Sequence, residues 1–203
     1  MSAQATSPNL IDLDLEHPIW GRFYTVHPLV LVGTRELDGG TDLAPKHLAM
    51  PMSWQNHFGF VCTPAHGTYQ NIQRTGQFTV TFVRPSQTVL ASLSATPRCE
   101  DGDKPIVSAL PTFPASKIDC DFLQDGYLFL ECEQQQTVDG LGDNSLIIGN
   151  IVNARIAPDA VRNSDQDDQD LLRESPLLAY LYPDRFAEIK ATNKLPFPAG
   201  FKR

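Results

Sequence analysis

Two stretches of the 203-residue chain concentrate groups able to bind and polarise a small polar molecule. The first, Asp42-Leu43-Ala44-Pro45-Lys46-His47-Leu48-Ala49-Met50-Pro51-Met52-Ser53-Trp54, joins two apolar strands and carries hydrogen-bond donors, an aromatic ring and little charge repulsion. The second, Thr68-Tyr69-Gln70-Asn71-Ile72, opens a predicted helix over 68–75 that Gly76 stops. The start of a helix offers unpaired N–H groups and a positive dipole end, which suits an anion such as phosphate. The same residues also fit a plain helix cap at Thr68 and a solvated charge at Lys46, and the sequence alone leaves both readings open.

The usual catalytic signatures are missing. There is no G-x-G-x-x-G after a strand, no G-x-x-x-x-G-K-[ST], no H-E-x-x-H and no G-x-S-x-G. Gly140-Leu141-Gly142 precedes a strand rather than a helix and reads as a turn. The histidines at 17, 27, 47, 57 and 66 are scattered, and no metal ligand set is expected. Cys62, Cys99, Cys120 and Cys132 form no C-x-x-C pair and read as small semi-buried thiols.

The elements that must position these groups are mostly strands. Apolar, β-branched or aromatic runs predict strands at His27–Thr34, Phe58–Cys62, Phe78–Val83, Lys117–Leu123, Tyr127–Val138 and Ser145–Ile156. Asp125-Gly126 predicts a hairpin between the fourth and fifth of these, which would bring Cys120 near Cys132. Short helices are expected at Ser86–Leu93, Asp170–Glu174, Leu177–Leu181 and Asp184–Lys190, with Asp159–Asp170 an acidic loop and Leu195–Phe201 a packed strap. About six strands with short helical connections point to an antiparallel barrel rather than a βαβ array.

Composition bounds the function. The formal charge of −8 and the absence of a basic stripe disfavour nucleic acid as a partner. No apolar run approaches the ~20 residues of a membrane span, and Met1–Asn9 lacks the basic and apolar regions of a secretory signal. The expectation is a cytoplasmic protein with reduced thiols.

The order of motifs resembles the flavin reductase-like family, the FMN-binding split barrel. Its members carry Asn-x-Ala-Pro-x-Ser after an early strand, then Thr-x-x-Asn-Ile ahead of a Gly and a strand, and later His-Thr-Leu-Phe-x-Gly-Glu-Val. The counterparts are Asp42-Leu43-Ala44-Pro45, then Thr68-Tyr69-Gln70-Asn71-Ile72 with Thr75-Gly76-Gln77-Phe78, then Asn144-Ser145-Leu146-Ile147-Ile148-Gly149-Asn150-Ile151. Asp42 replaces the usual Asn and Asn144 the usual His. The resemblance spans roughly Leu29 to Ile156. It implies a six-stranded antiparallel split barrel at 26–158, preceded by an extension (1–25) and followed by an acidic loop, short helices and strap (159–203).

The resemblance further implies FMN, with FAD as the alternative, held at a homodimer interface. Asp42 to Trp54 (Lys46 and His47 as donors, with Leu48, Ala49, Met50, Ser53 and Trp54) would line the isoalloxazine and ribityl. Thr68, Asn71 and Lys104 would meet the phosphate, Asn144 would take the late polar position, and Tyr180, or failing it Tyr182, would close over the ring. The implied reaction is hydride transfer from NAD(P)H to flavin. That step needs no obligatory protein acid or base, because the redox chemistry belongs to the cofactor. The alternatives are an FMN-binding electron carrier and a flavoenzyme acting on an organic substrate.

Overall fold

The computed structural model describes residues 10–100, 102–163 and 166–200. Its main feature is a seven-stranded antiparallel sheet in the order β3-β2-β6-β9-β10-β5-β4, formed by β2 (Val30–Arg35), β3 (Thr41–Lys46), β4 (Ala49–Pro51), β5 (His57–Cys62), β6 (Gln77–Phe82), β9 (Leu128–Leu141) and β10 (Asn144–Ile156). The two end strands, β3 and β4, are separated in sequence only by His47 and Leu48. A two-residue link cannot span a flat sheet seven strands wide, so the sheet must curl until its ends meet. The N–H of Val61 in β5 donates to the Leu48 carbonyl at 2.9 Å, tying the link to the far side of the sheet. The result is the antiparallel split barrel, open along the seam at residues 46–49.

The inside is filled by Val30, Val32, Phe58, Phe60, Phe78, Val80, Cys132 and Ile147, with Phe60 and Phe78 packed edge to face at 5.4 Å. One end is closed by α1 (Gly67–Thr75), which buries Thr68, Asn71 and Ile72 on one face. This helix stops at Gly76, whose left-handed φ of 69° suits glycine and lets its N–H reach the Ile72 carbonyl at 2.8 Å. Leu31 and Leu43 point to the opposite face of the sheet. There they pack with Ala91 of α2 (Thr88–Leu93), Val107 and Leu110 at the 3-10 turn Pro105–Ala109, Leu123 and Leu178.

Three expectations are corrected. Asp125 does turn the chain, with φ at 60°, but it does not make a hairpin. The preceding strand is only Asp121–Leu123 (β8) and pairs with β7 (Thr112–Pro114), while β9 pairs with β6 and β10. The turn therefore passes the chain from a small flap to the barrel, and the true hairpin is β9–β10, closed by Gly142-Asp143. Leu177–Tyr182 and Arg185–Ile189 are strands (β11, β12), not helices. They form a hairpin around the cis bond Tyr182–Pro183 and a three-stranded sheet with β1 (Thr25–Pro28). Leu and Ala favour the helical reading and only the tyrosines lean to strand, but the ladders to β1 and β12 decide it. In the tail strap Leu195 and Phe197 are exposed rather than buried, and Phe201 lies outside the described residues.

All four cysteines are free, with Cys99 exposed and the other three buried. Burial pushes the Cys120 thiol up to about 12. Among the described residues no helix is long and apolar enough to cross a membrane.

The flap is held by one buried carboxylate. Glu131 of β9 accepts the N–H groups of Ser116 (3.0 Å) and Lys117 (2.6 Å), the Ser116 hydroxyl (2.9 Å) and the Asn153 amide (2.8 Å). Burial alone would raise its pKa, but the hydrogen bonds from Asn153, Ser116 and Lys117 hold it at about 2, below the ordinary 4.5. A folded-state value below the unfolded one adds stability that is complete above pH 4.5 and lost as pH falls towards 2. The full difference corresponds to roughly 3 kcal/mol. Glu131→Gln should therefore lower stability at pH 7 by up to that amount, and urea unfolding should show the gap to wild type narrowing below pH 4.5. A gap independent of pH would refute the assignment.

Candidate functional site

The pairing register of β3 decides where the candidate residues go. Val30 pairs with Lys46, Val32 with Ala44 and Thr34 with Asp42. Side chains alternate along a strand, so Asp42, Ala44 and Lys46 share the face towards α1, while Leu43, Pro45 and His47 share the face towards α2 and β11. Lys46 and His47 thus face two different clefts that meet at Pro45 and Ala95.

The first cleft, of about 520 Å³, lies between β3, the start of α1 and the segment 94–98. At its floor is Asp42, only 3% exposed. One carboxylate oxygen accepts the Lys104 ammonium at 3.2 Å; the other lies 3.4 Å from both the Arg98 guanidinium and the Thr68 hydroxyl. Lys104 also donates to the Leu43 carbonyl at 2.9 Å. Arg98 is further tied to Glu36 and to the Gly102 carbonyl.

Residue 67 must be glycine for this arrangement, because a Cβ there would come within 2.6 Å of the Arg98 guanidinium. Thr68 is therefore not the helix cap expected from the sequence: His66 occupies that position without a side-chain capping bond, and the Thr68 hydroxyl points to Asp42. Lys46, Arg98 and Lys104 give the cleft three cations against two carboxylates, Asp42 at its floor and Glu36 behind Arg98, in a chain of net charge −8. The field is felt by His66, whose pKa is lowered first by burial and then by Lys46 and Lys104 against the pull of Asp42.

The second cleft, of about 530 Å³, is more apolar. His47 stacks on Tyr182 (5.3 Å, 22° between planes) and lies 5.0 Å from Tyr180 and 5.5 Å from His27. Tyr180 belongs to this cleft, with its hydroxyl donating to the Pro183 carbonyl.

The structure brings together Asp42, Lys46, Thr68 and Lys104 in one cleft, and His47 with Tyr180 in the next. Asn71 is turned away: its amide donates to Thr34 at 3.1 Å and accepts from Arg74, inside the helix–barrel contact. Asn144 accepts from Thr63 at 3.1 Å and steadies the turn that leads into α1. Ala49 is buried, while Leu48 and Met50 are exposed along the seam and the edge strand β4. Ser53 bonds His57, and Trp54 stands 96% exposed in the turn after β4. Sequence reasoning missed Arg98, which follows Thr96-Pro97 after α2; a cation just past a helix and a proline was the only available signal.

The curled antiparallel sheet with α1 packed at one end is a split barrel. Residues 21–189 match the family described as flavin reductase like domain, and the chain belongs to that family. The fold is shared with nitrilotriacetate monooxygenase component B from Bacillus cereus (TM-score 0.78, 14% identity, covering 93% of this chain and 100% of that one). It is shared also with an FMN-binding protein from Thermus thermophilus crystallised with 1-cyclohex-2-enone (0.75, 17%, 92% and 100%). Flavoredoxin of Desulfovibrio vulgaris (Miyazaki F) is similarly related (0.74, 17%, 94% and 100%). A search of curated proteins found no match.

Burial first, then the His27 and Lys46 charges, hold the His47 pKa below its ordinary 6.5. As pH falls through 6.5 the unfolded chain takes up a proton that folded His47 resists, so stability falls on the acid side. NMR titration should place His47 below 6.5, and Lys46→Met should raise its midpoint. An unmoved midpoint would show that Lys46 does not act across the seam.

Proposed function

We propose that this chain binds FMN and works as an oxidoreductase of the flavin reductase class, with NAD(P)H as hydride donor. The observation that carries the reading is the cationic cleft at the start of α1, set against the chain's overall acidity. The residues fit the group. A dianionic phosphate suits Lys46, Arg98 and Lys104, the first N–H groups of α1, which no helical carbonyl can satisfy, and the Thr68 hydroxyl once its one O–H turns to it from Asp42. The adjoining cleft of His47 and Tyr180 suits a flat aromatic ring. When bound, the flavin supplies two-electron redox chemistry.

The chain's own residues bind and orient. Asp42 fixes Lys104 and Arg98 in place, and their cations neutralise the phosphate. Pro45 and Ala95, common to both clefts, form the apolar passage between the two ends. His47, kept neutral, adds a stacking face without adding charge. A homodimer is part of the proposal: Leu48, Met50 and Trp54 are exposed around the free edge of β4, where a second copy would cover them.

A second reading, reduction of a small organic substrate by the bound flavin, is favoured by the apolar lining of the His47–Tyr180 cleft and by the cyclohexenone held by the Thermus relative. FAD in place of FMN belongs to either reading, and an electron carrier of the flavoredoxin kind is the non-enzymatic rival.

The purified chain, mixed with FMN, should show the visible absorption of a bound oxidised flavin; failure to take up FMN would remove the proposal. Anaerobic NAD(P)H should bleach that absorption in an enzyme and leave a carrier yellow. Steady-state oxidation of NAD(P)H with free flavin as acceptor separates a flavin reductase from a reductase of organic substrates.

Phosphate recognition has its own test. Thr68→Ala should weaken FMN several-fold, matching the loss of about 1 kcal/mol for one hydroxyl bond, and Arg98→Met or Lys104→Met should weaken it about tenfold. Riboflavin, which has no phosphate, should lose less in every case. Equal losses for the two ligands would move the phosphate away from these residues.

A further inference from the structure

A cavity of about 360 Å³ lies apart from the two clefts and shares none of their lining residues. Its apolar wall is Leu171 and Leu172 of α3 (Asp168–Glu174), Ala160 of the 3-10 turn Pro158–Ala160, and Leu177 at the start of β11. The chain beyond β12 closes one side, because Gln169 clamps Thr192. The Gln169 carbonyl oxygen accepts the Thr192 N–H at 3.0 Å, and its amide donates to the Thr192 hydroxyl at 3.0 Å. The volume falls at the low end of the ~300–1,000 Å³ range of small-ligand sites.

The hydroxyls that line this cavity are donors in want of acceptors. Tyr127 is fixed by its N–H, which donates to the Phe82 carbonyl at 3.0 Å, and by the edge-to-face contact of its ring with Phe82. Its hydroxyl has no hydrogen-bond partner among the described residues, and burial pushes the phenol up to about 12, so it stays protonated. Ser175 is only 4% exposed, and its Oγ accepts from Arg84 at 2.6 Å. That bond leaves the Ser175 O–H itself without an acceptor among the described residues. A donor left unmet against apolar walls is costly, and a carbonyl oxygen, with two lone pairs, can take such a bond.

Charge argues against an anionic occupant. Arg84 is already paired with Asp159 at 2.7 Å and Arg162 with Asp168 at 3.0 Å. Residues 159–170 carry five aspartates against one arginine. Hydroxyl donors in an apolar wall, beside an acidic segment, suit an acceptor that brings no charge of its own.

We infer that this cavity is a second small-molecule site, for a neutral carbonyl compound with an apolar body, whose oxygen accepts from Tyr127 and Ser175. The site is separate from the flavin reading and does not rest on it.

Acetophenone is the probe, with ethylbenzene as its counterpart lacking the acceptor and benzoate as its charged counterpart. Calorimetry on the full chain should show saturable acetophenone binding, with benzoate roughly tenfold weaker or worse. Tyr127→Phe removes only the unpartnered hydroxyl, so urea unfolding should be unchanged. The same variant should weaken acetophenone about five- to tenfold and leave ethylbenzene unmoved. Leu172→Trp and Ala160→Trp fill the cavity from different elements, and either should abolish acetophenone binding. Acetophenone that fails to bind, that is indifferent to Tyr127→Phe, or that still binds both tryptophan variants overturns the inference. Benzoate binding as tightly as acetophenone overturns it too. Saturating FMN should not displace acetophenone, and displacement would put the probe in the flavin site instead. FMN uptake is read from the visible spectrum, so a chain that takes up acetophenone but no FMN refutes the flavin reading and leaves this site standing.

Discussion

One buried carboxylate organises the charged end of this molecule. Taking Asp42 out of water is costly unless its charge is met, and three groups from three different segments meet it: Thr68 on α1, Arg98 after α2, and Lys104 before the next 3-10 turn. Thr68 is fixed by its helix, but the segments carrying Arg98 and Lys104 have no regular structure of their own at the cleft. The carboxylate therefore does for the loops what the hydrogen-bond ladder does for the strands. The same contacts fix the chemistry, because cations tethered at 3.2 and 3.4 Å to a buried oxygen are preorganised rather than mobile. Preorganised donors lose less freedom when an anion arrives than free lysines on a surface would.

The second constraint is the two-residue link across the barrel seam. It forces the edge strands together and places Lys46, His47 and Leu48 where the sheet opens. Strand alternation then sends Lys46 and His47 to opposite faces, so a single short stretch of chain furnishes a cationic cleft and an aromatic one a residue apart. A ligand with one charged and one flat apolar end needs this adjacency. Pro45, with its fixed φ and no N–H to donate, stiffens the wall between the two. It is tolerated because β3 lies at one edge of the seven-stranded sheet, with no strand beyond it to receive that bond.

The barrel strands were legible because their long apolar, β-branched and aromatic runs carry the strand signal locally, wherever in the chain their partners lie. Val30–Arg35, His57–Cys62, Gln77–Phe82 and Asn144–Ile156 lie within a residue or a few of the expected segments. The end of α1 at Gly76 was readable for the same local reason. What failed depended on distant partners. Leu177–Tyr182 is a strand because β1, some 150 residues earlier, supplies its ladder. Asp125-Gly126 carries a sound hairpin signal, yet its two flanking strands are claimed by different sheets.

The site followed the same rule. Thr68 and Lys104 were found through a motif and a charge, and the structure places both in the cationic cleft. Arg98 had no local pattern to announce it. Asn71 sits in a motif but spends its amide on Thr34, a contact only the fold creates.

The departure at position 42 has a physical sense within this chain. An asparagine there, as in the family pattern, could accept from Thr68 but would leave Lys104 beside a neutral amide and Arg98 with Glu36 alone, two like charges close together with one carboxylate between them. The carboxylate removes that repulsion and so permits a second cation to stand next to the first. Its own negative charge is set below the cations, at 3% exposure, where it faces their heads rather than the cleft mouth. An anion entering from the mouth therefore meets the cations before it meets Asp42, although a buried carboxylate holds the cleft together.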